Sequence, residues 1–136
     1  MTENEIAKLI LDAAFVVHTK LRPGLLESVY EVVLAYELKK RGLTAERQKP
    51  MPIVYDNIRF DEAFRSDLVV NRKVIAELKS VEALLPVHSK QLLTQLRLSG
   101  LKLGLLLNFG EAHLKNGIKR VVNGHLDAEN PSELSL

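Results

Sequence analysis

Three residues in one short stretch have the types and spacing for phosphate chemistry. They lie in Ser66-Asp67-Leu-Val-Val-Asn-Arg-Lys-Val-Ile-Ala-Glu77-Leu78-Lys79. If Asn71-Arg72-Lys73 is the loop of a hairpin, Val70 faces Val74, and counting outward sets Asp67 opposite Glu77. Side chains facing each other on one sheet surface lie about 5 Å apart. Two carboxylates at that distance repel unless a proton or a cation sits between them. Glu77 and Lys79 are two positions apart on a strand and project to the same side. Two carboxylates and an ammonium suit a hard divalent cation, Mg²⁺ or Mn²⁺, which takes oxygen ligands and keeps positions for water and phosphate. The lysine can orient the attacking water or offset charge that develops on phosphate. A two-residue loop would instead bring Ser66 opposite Glu77, and a plain solvent-facing hairpin carries Glu-x-Lys pairs as well.

Two helical segments offer further groups. In the second helical pattern Leu25, Val29, Val32, Val33 and Tyr36 form an apolar stripe, with Gly24, Glu27, Tyr30, Glu31, Leu34 and Leu38 on the other side. A helix apolar on both sides is expected to be buried on both, which makes Glu27 a buried carboxylate in need of a partner or a metal. The alternative is that Glu27 complements the dipole at a helix start. Further on, His88, Gln91 and Gln95 fall on one stripe beside the apolar Leu92, Leu93 and Leu96, with Lys90, Thr94 and Arg97 directed elsewhere. That stripe can bind phosphate or a water, or be an ordinary polar face. His18, His113 and His125 have no zinc-ligand spacing and read as structural or surface residues.

The elements that must position these groups follow from periodicity and punctuation. Thr2-Glu3-Asn4-Glu5 has capping-box spacing, and Ile6, Leu9, Ile10, Ala13 and Val17 continue it as a helix over residues 3–20. Pro23-Gly24 interrupts, and the second helix runs to Lys39-Lys40-Arg41 with Gly42 as its stop. Ile53–Tyr55 and Ile58–Phe60 flank an Asp56-Asn57 turn; Phe64–Val70 and Val74–Lys79 flank the next loop. Pro86 opens a third helix that ends at Gly100. Leu103–Phe109 reads as a strand covered on both faces, and Ile118–Val122 as a weaker last strand. The order α-α-β-β-β-α-β predicts one α/β domain with a mixed sheet over residues 1–124, and a polar tail over 125–136.

Composition narrows the function. Apolar residues at 46% and charged ones at 26% are the balance of a globular domain. Lys+Arg 19 against Asp+Glu 17 excludes a histone-like binder driven by net charge, though not a local basic patch. The chain contains no cysteine, which removes disulfides, thiol catalysis and cysteine-based metal sites and suits a reducing cytoplasm. No apolar run approaches a membrane span, and the polar Met1–Glu5 start does not read as a signal peptide. No P-loop or dinucleotide fingerprint is present. Lys49, Arg59, Arg65, Lys90 and Arg97 are basic residues that could follow a nucleic-acid backbone. The absence of tryptophan and the 5% aromatics argue against an extended base-stacking platform.

These blocks also carry a resemblance. Gly24-Leu-Leu-Glu27-Ser-Val-Tyr30 is similar to the signature of the GxxExxY proteins, and Arg65-Ser-Asp67, Glu77-Leu-Lys79, Pro86-Val-His88-Ser-Lys-Gln91 and Gly104-Leu-Leu-Leu-Asn108-Phe109-Gly110 resemble later blocks of that family. The resemblance runs in order over residues 5–122 and implies a PD-(D/E)XK nuclease-like chain. It implies a restriction-endonuclease-like αβββαβ core with an additional N-terminal helix. It further implies Asp67 and Glu77 as metal carboxylates, Glu27 as an acid completing the metal or water shell, Lys79 as catalytic lysine and Gln91 as the helix glutamine. Where relatives place a tyrosine four residues after that glutamine, this chain has Gln95, and Ser66 stands where they have proline. The function implied is metal-dependent hydrolysis of phosphodiester bonds, in DNA in preference to RNA. Tyr30, Arg65, His88 and Gln95 are expected to meet substrate. No membrane partner is expected; a homodimer would let two sites meet two strands. The competing expectation is a non-catalytic module that binds nucleic acid or protein on the same fold.

Overall fold

A computed structural model describes residues 1–126. The elements are α1 (Glu3–Leu21), α2 (Glu27–Lys40), β1 (Ala45–Tyr55), β2 (Ile58–Val70), β3 (Val74–Lys79), α3 (Pro86–Ser99), β4 (Leu103–Asn108) and β5 (Ile118–Val122), with a single 3₁₀ turn at Leu114–Gly117. This is the expected α/β class, a mixed sheet flanked by helices. The predicted tail falls largely on residues 127–136, outside the described part. No helix among the described residues is long and apolar enough to cross a membrane.

The five strands lie in chain order, β1-β2-β3-β4-β5. Neighbours are antiparallel except β3 and β4, which run parallel and are joined through α3. Every residue of β4 is buried, as its unbroken apolar run predicts. Strand alternation divides the core in two. Leu68, Val70, Val74, Ala76, Leu78, Leu103, Leu105 and Leu107 pack with α1 and α2. Val69, Ile75 and Leu106 pack with Leu92 and Leu96 of α3. Gly104 lies between them in sequence, and a Cβ there would stand 2.8 Å from Leu92, so its missing side chain lets α3 settle on the sheet.

Local signals place most boundaries. Thr2 Oγ1 accepts the Glu5 N–H at 3.1 Å, and Glu5 Oε1 accepts the Thr2 N–H at 3.4 Å, closing the capping box. The loop after β2 has the expected length: Val70 pairs with Val74, and Asn71 and Arg72 take left-handed φ of 50° and 56°. Asn71 Oδ1 accepts the Thr44 N–H at 2.8 Å and ties that loop to the start of β1.

Two expectations need correction. First, Ile58–Phe60 and Phe64–Val70, read as separate strands, are one strand, β2, so the hairpin around Asp56-Asn57 is long. β1 and β2 stay paired from Ala45–Val70 out to Tyr55–Ile58, with a register shift between Met51 and Ile53. Asp61-Glu62 disfavours a strand locally, but continuous cross-strand pairing carries it. The distal half forms an arm with Val54, Tyr55, Ile58 and Phe60 exposed. Second, α2 is buried on one side only. Tyr30, Glu31, Leu34 and Leu38 face the sheet, while Val29, Val32 and Tyr36 are exposed. His18 is 4% exposed, and its Nε2 lies 2.7 Å from the Glu111 carbonyl.

Candidate metal centre

Regular pairing of β2 with β3 runs from Val70–Val74 to Leu68–Ala76. Beyond that point side chains take over the bonding. The Asp67 N–H donates to Glu77 Oε1 at 3.1 Å, and the Leu78 N–H donates to Asp67 Oδ2 at 2.9 Å. The two carboxylates thus sit in the fork where the strands part, each satisfying a backbone donor of the other strand. Ile75 packs on α3, so Glu77 and Lys79, two and four residues on, project toward the same side of β3.

Electrostatics mark this pair. Glu77 is 7% exposed, and its carboxyl is pushed up to about 8. Burial is the main cause and the neighbouring Asp67 charge the next; the Lys79 ammonium pulls the other way. A buried acid held beside a second acid holds its proton to higher pH. The Lys79 end of β3 is fixed from β4. The Phe109 N–H donates to the Lys79 carbonyl at 2.8 Å. Asn108 is fully enclosed: its Oδ1 accepts from the Val81 N–H at 3.1 Å and the Gly110 N–H at 3.0 Å, and its Nδ2 donates to the Val81 carbonyl at 3.0 Å. A Cβ on Gly110 would lie 2.1 Å from the Val81 carbonyl oxygen.

A third carboxylate approaches from the helical layer, and it is Glu31. It is 4% exposed and accepts from Arg47 at 2.9 Å and from Gln48 Nε2 at 2.6 Å. The same Gln48 nitrogen lies 3.3 Å from Asp67 Oδ1. Gln48 therefore bridges Glu31 and Asp67, and its backbone takes a left-handed φ of 51° to do so. Sequence reasoning set Glu31 on the correct face of α2 but did not single it out. Gln48 carried no local signal, because its role rests on that backbone conformation.

Glu27 is exposed in the first turn of α2, where the helix dipole favours an acid. The expectation of a buried Glu27 fails because Glu27 is the first residue of α2, and burial on that side begins one turn on, at Tyr30. Among the described residues no three His, Cys, Asp or Glu side chains converge to hold a metal, so Glu27 does not join Asp67 and Glu77. Tyr30 is 0% exposed and does not meet substrate directly. Its hydroxyl donates to the Arg22 carbonyl at 2.6 Å and accepts the Leu25 N–H at 3.0 Å, and its ring stacks on Phe109 with centroids 4.7 Å apart. This clamps the turn before α2, whose Leu25 carbonyl also accepts from Ser80 Oγ at 2.8 Å, next to Lys79.

The remaining expected contacts divide. His88 Nδ1 accepts the Leu85 N–H at 3.0 Å and so caps α3. Arg65 pairs with Glu62 and reaches the Gln48 carbonyl at 3.4 Å. Gln95 Oε1 accepts from Ser66 Oγ at 3.3 Å, tying α3 to the residue before Asp67. Gln91 is exposed and, with Lys90, Thr94 and Gln95, lines a cleft between α3 and Phe64 of the arm. Lys90 and Thr94 thus share a surface with the glutamines rather than pointing elsewhere.

The donor set fits a hard divalent cation. Asp67 and Glu77 supply carboxylate oxygens from adjoining strands, and a cation there would take the place of the proton on Glu77. Two protein carboxylates leave most of the coordination shell to water and phosphate, which is how Mg²⁺ is commonly held.

A family model described as the PD-(D/E)XK nuclease superfamily matches residues 4–121. No curated protein and no solved structure matched the chain. The match spans both helical layers and the whole sheet, and the chain belongs to that superfamily.

Proposed function

We propose that this member of the PD-(D/E)XK nuclease superfamily is a divalent-metal-dependent nuclease that cleaves phosphodiester bonds, in DNA in preference to RNA. The observation that carries the reading is the Asp67–Glu77 pair in the strand fork, with Glu77 pushed up to about 8. Within the superfamily the signature Gly24-x-x-Glu27-x-x-Tyr30 favours the GxxExxY proteins.

Asp67 and Glu77 would hold Mg²⁺ or Mn²⁺. When bound, the cation supplies an acidified water and offsets charge on the phosphate. Lys79, at the end of β3, presents its ammonium to the same side as Glu77 and donates to the water or to a non-bridging phosphate oxygen. Gln48 keeps Asp67 in place through the amide that it shares with Glu31. Gln91, exposed on α3, contacts the strand that enters. The chain without cysteine suits a cytoplasmic setting. A homodimer would bring two such sites to two strands.

One observation favours the non-catalytic alternative: both carboxylates already serve as acceptors for backbone N–H groups. Calorimetric titration with Mn²⁺ and Mg²⁺ separates the two. The nuclease reading expects binding that both Asp67→Asn and Glu77→Gln abolish. It also expects cleavage of DNA that Lys79→Ala suppresses while metal binding persists. Absence of metal binding, with and without a nuclease-resistant oligonucleotide, supports the non-catalytic module.

A further inference from the structure

The cleft between α3 and the β2 arm encloses about 420 Å³. It opens on the α3 side of the sheet, toward which Glu77 projects, and it is linked to the metal centre through the Ser66–Gln95 hydrogen bond at 3.3 Å. Its walls combine an aromatic ring, Phe64, and the aliphatic Leu98 with the amides of Gln91 and Gln95 and the hydroxyl of Thr94; Lys90 lies with them. We propose that this cleft receives one unpaired nucleobase of the substrate strand, beside the phosphate presented to Asp67 and Glu77. The proposal rests on the nuclease reading and names its substrate class: single-stranded or locally unpaired nucleic acid.

Shape is the first argument. A duplex is read by a convex element that enters a groove, because its bases show only their edges. A concave cleft between a helix and a ribbon cannot meet those edges. It takes a base that has left the stack and presents a face and an edge together. Chemistry is the second. Phe64 contributes an aromatic ring to the wall, the kind of group on which a base stacks, and two amides and a hydroxyl offer both donors and acceptors to a base edge. Lys90 supplies a cation for the adjoining phosphate. Gln95 spends its carbonyl oxygen on Ser66, so its amide N–H groups are the part left for a ligand. One ring in one cleft accommodates one base, which agrees with a chain too poor in aromatics for a stacking platform.

The test is fluorescence-anisotropy binding of a labelled 15-nucleotide single strand and the matching duplex to the full chain in EDTA, where cleavage is silent. The single strand should bind more tightly than the duplex. Phe64→Ala should weaken single-strand binding by about 5- to 150-fold, the range for loss of one stacked base. Thr94→Trp, an exposed substitution that fills the cleft, should do the same with circular dichroism unchanged, which covers the event that Phe64→Ala fails to fold. Equal or tighter binding of duplex overturns the proposal, as does wild-type affinity in a folded Thr94→Trp variant, or no binding of either nucleic acid. Cleavage with Mn²⁺ is read separately. Cleft-dependent binding without hydrolysis would retain the base site and overturn the nuclease reading. Hydrolysis indifferent to Thr94→Trp would do the reverse.

Discussion

Replacing Glu77 by glutamine should change how the stability of the metal-free protein depends on pH. In the unfolded chain a glutamate titrates near 4.5, whereas in the fold Glu77 titrates at about 8. A raised carboxyl favours folding in its protonated form. Its contribution is therefore fully present below about 4.5 and is lost as the pH rises toward and through about 8. One pH unit corresponds to about 1.4 kcal/mol. Over that window the loss reaches about 5 kcal/mol, most of it by neutral pH, a large part of what a domain of this size has to lose. Glutamine keeps an oxygen to accept the Asp67 N–H and carries no charge, so it escapes the loss. Urea denaturation of both proteins from pH 5 to 9, in EDTA, gives the assay. The wild type should lose stability across the range relative to Glu77→Gln, and comparison of the two cancels groups that titrate alike in both. At pH 8 the variant should melt higher by about 3–5 °C for each kcal/mol. Parallel pH profiles would refute the reasoning, since Glu77 would then ionise in the fold as it does in the open chain. Adding Mn²⁺ at pH 8 should raise the wild-type midpoint and leave that of Glu77→Gln unmoved.

Other substitutions test the supports. Gln48→Gly relieves a left-handed residue and removes the amide that joins Glu31 to Asp67; stability should stay within about 1 kcal/mol of wild type. Its Mn²⁺ affinity, read by calorimetry, should fall by about tenfold, as for other groups that orient a ligand. Tyr30→Phe strips the Arg22 carbonyl and the Leu25 N–H of their partner and should cost about 1–2 kcal/mol in urea denaturation with an unchanged slope. Gly110→Ala drives a methyl group into the Val81 carbonyl and should cost about 3 kcal/mol or more by the same measure.

What could be read from the sequence was what short-range rules control. The loop at 71–73 fixed the pairing of Val70 with Val74, and that count brought Asp67 and Glu77 together. The unbroken apolar run of β4 announced a doubly covered strand. Errors arose where tertiary packing chose between local equals. Both sides of α2 carry apolar residues; the sheet took the one with Tyr30, whose ring lies on Phe109 far along the chain. That choice buried Glu31; Glu27, on the same side, is the first residue of α2 and lies in solvent at the helix end. The long arm was hidden by Asp61-Glu62, because strand pairing does not require apolar residues where both faces are wet. Asn108 stood out only within a family pattern; its three bonds reveal a brace for the segment that follows Lys79.

The fork between β2 and β3 changes what the presence of these two acids means. As acceptors for the N–H groups of Leu78 and Asp67, they finish a ladder that the parting strands leave incomplete. Asparagine and glutamine would finish it equally well, and without mutual repulsion. The acceptor oxygen is thus explained by architecture alone, and an inactive descendant would have reason to retain it. The negative charge at 77 has no such explanation: burial beside Asp67 disfavours it in the fold. On the metal-dependent reading, the capacity for charge at 67 and 77, rather than the size or polarity of the side chain, would separate a working centre from a fossil of one.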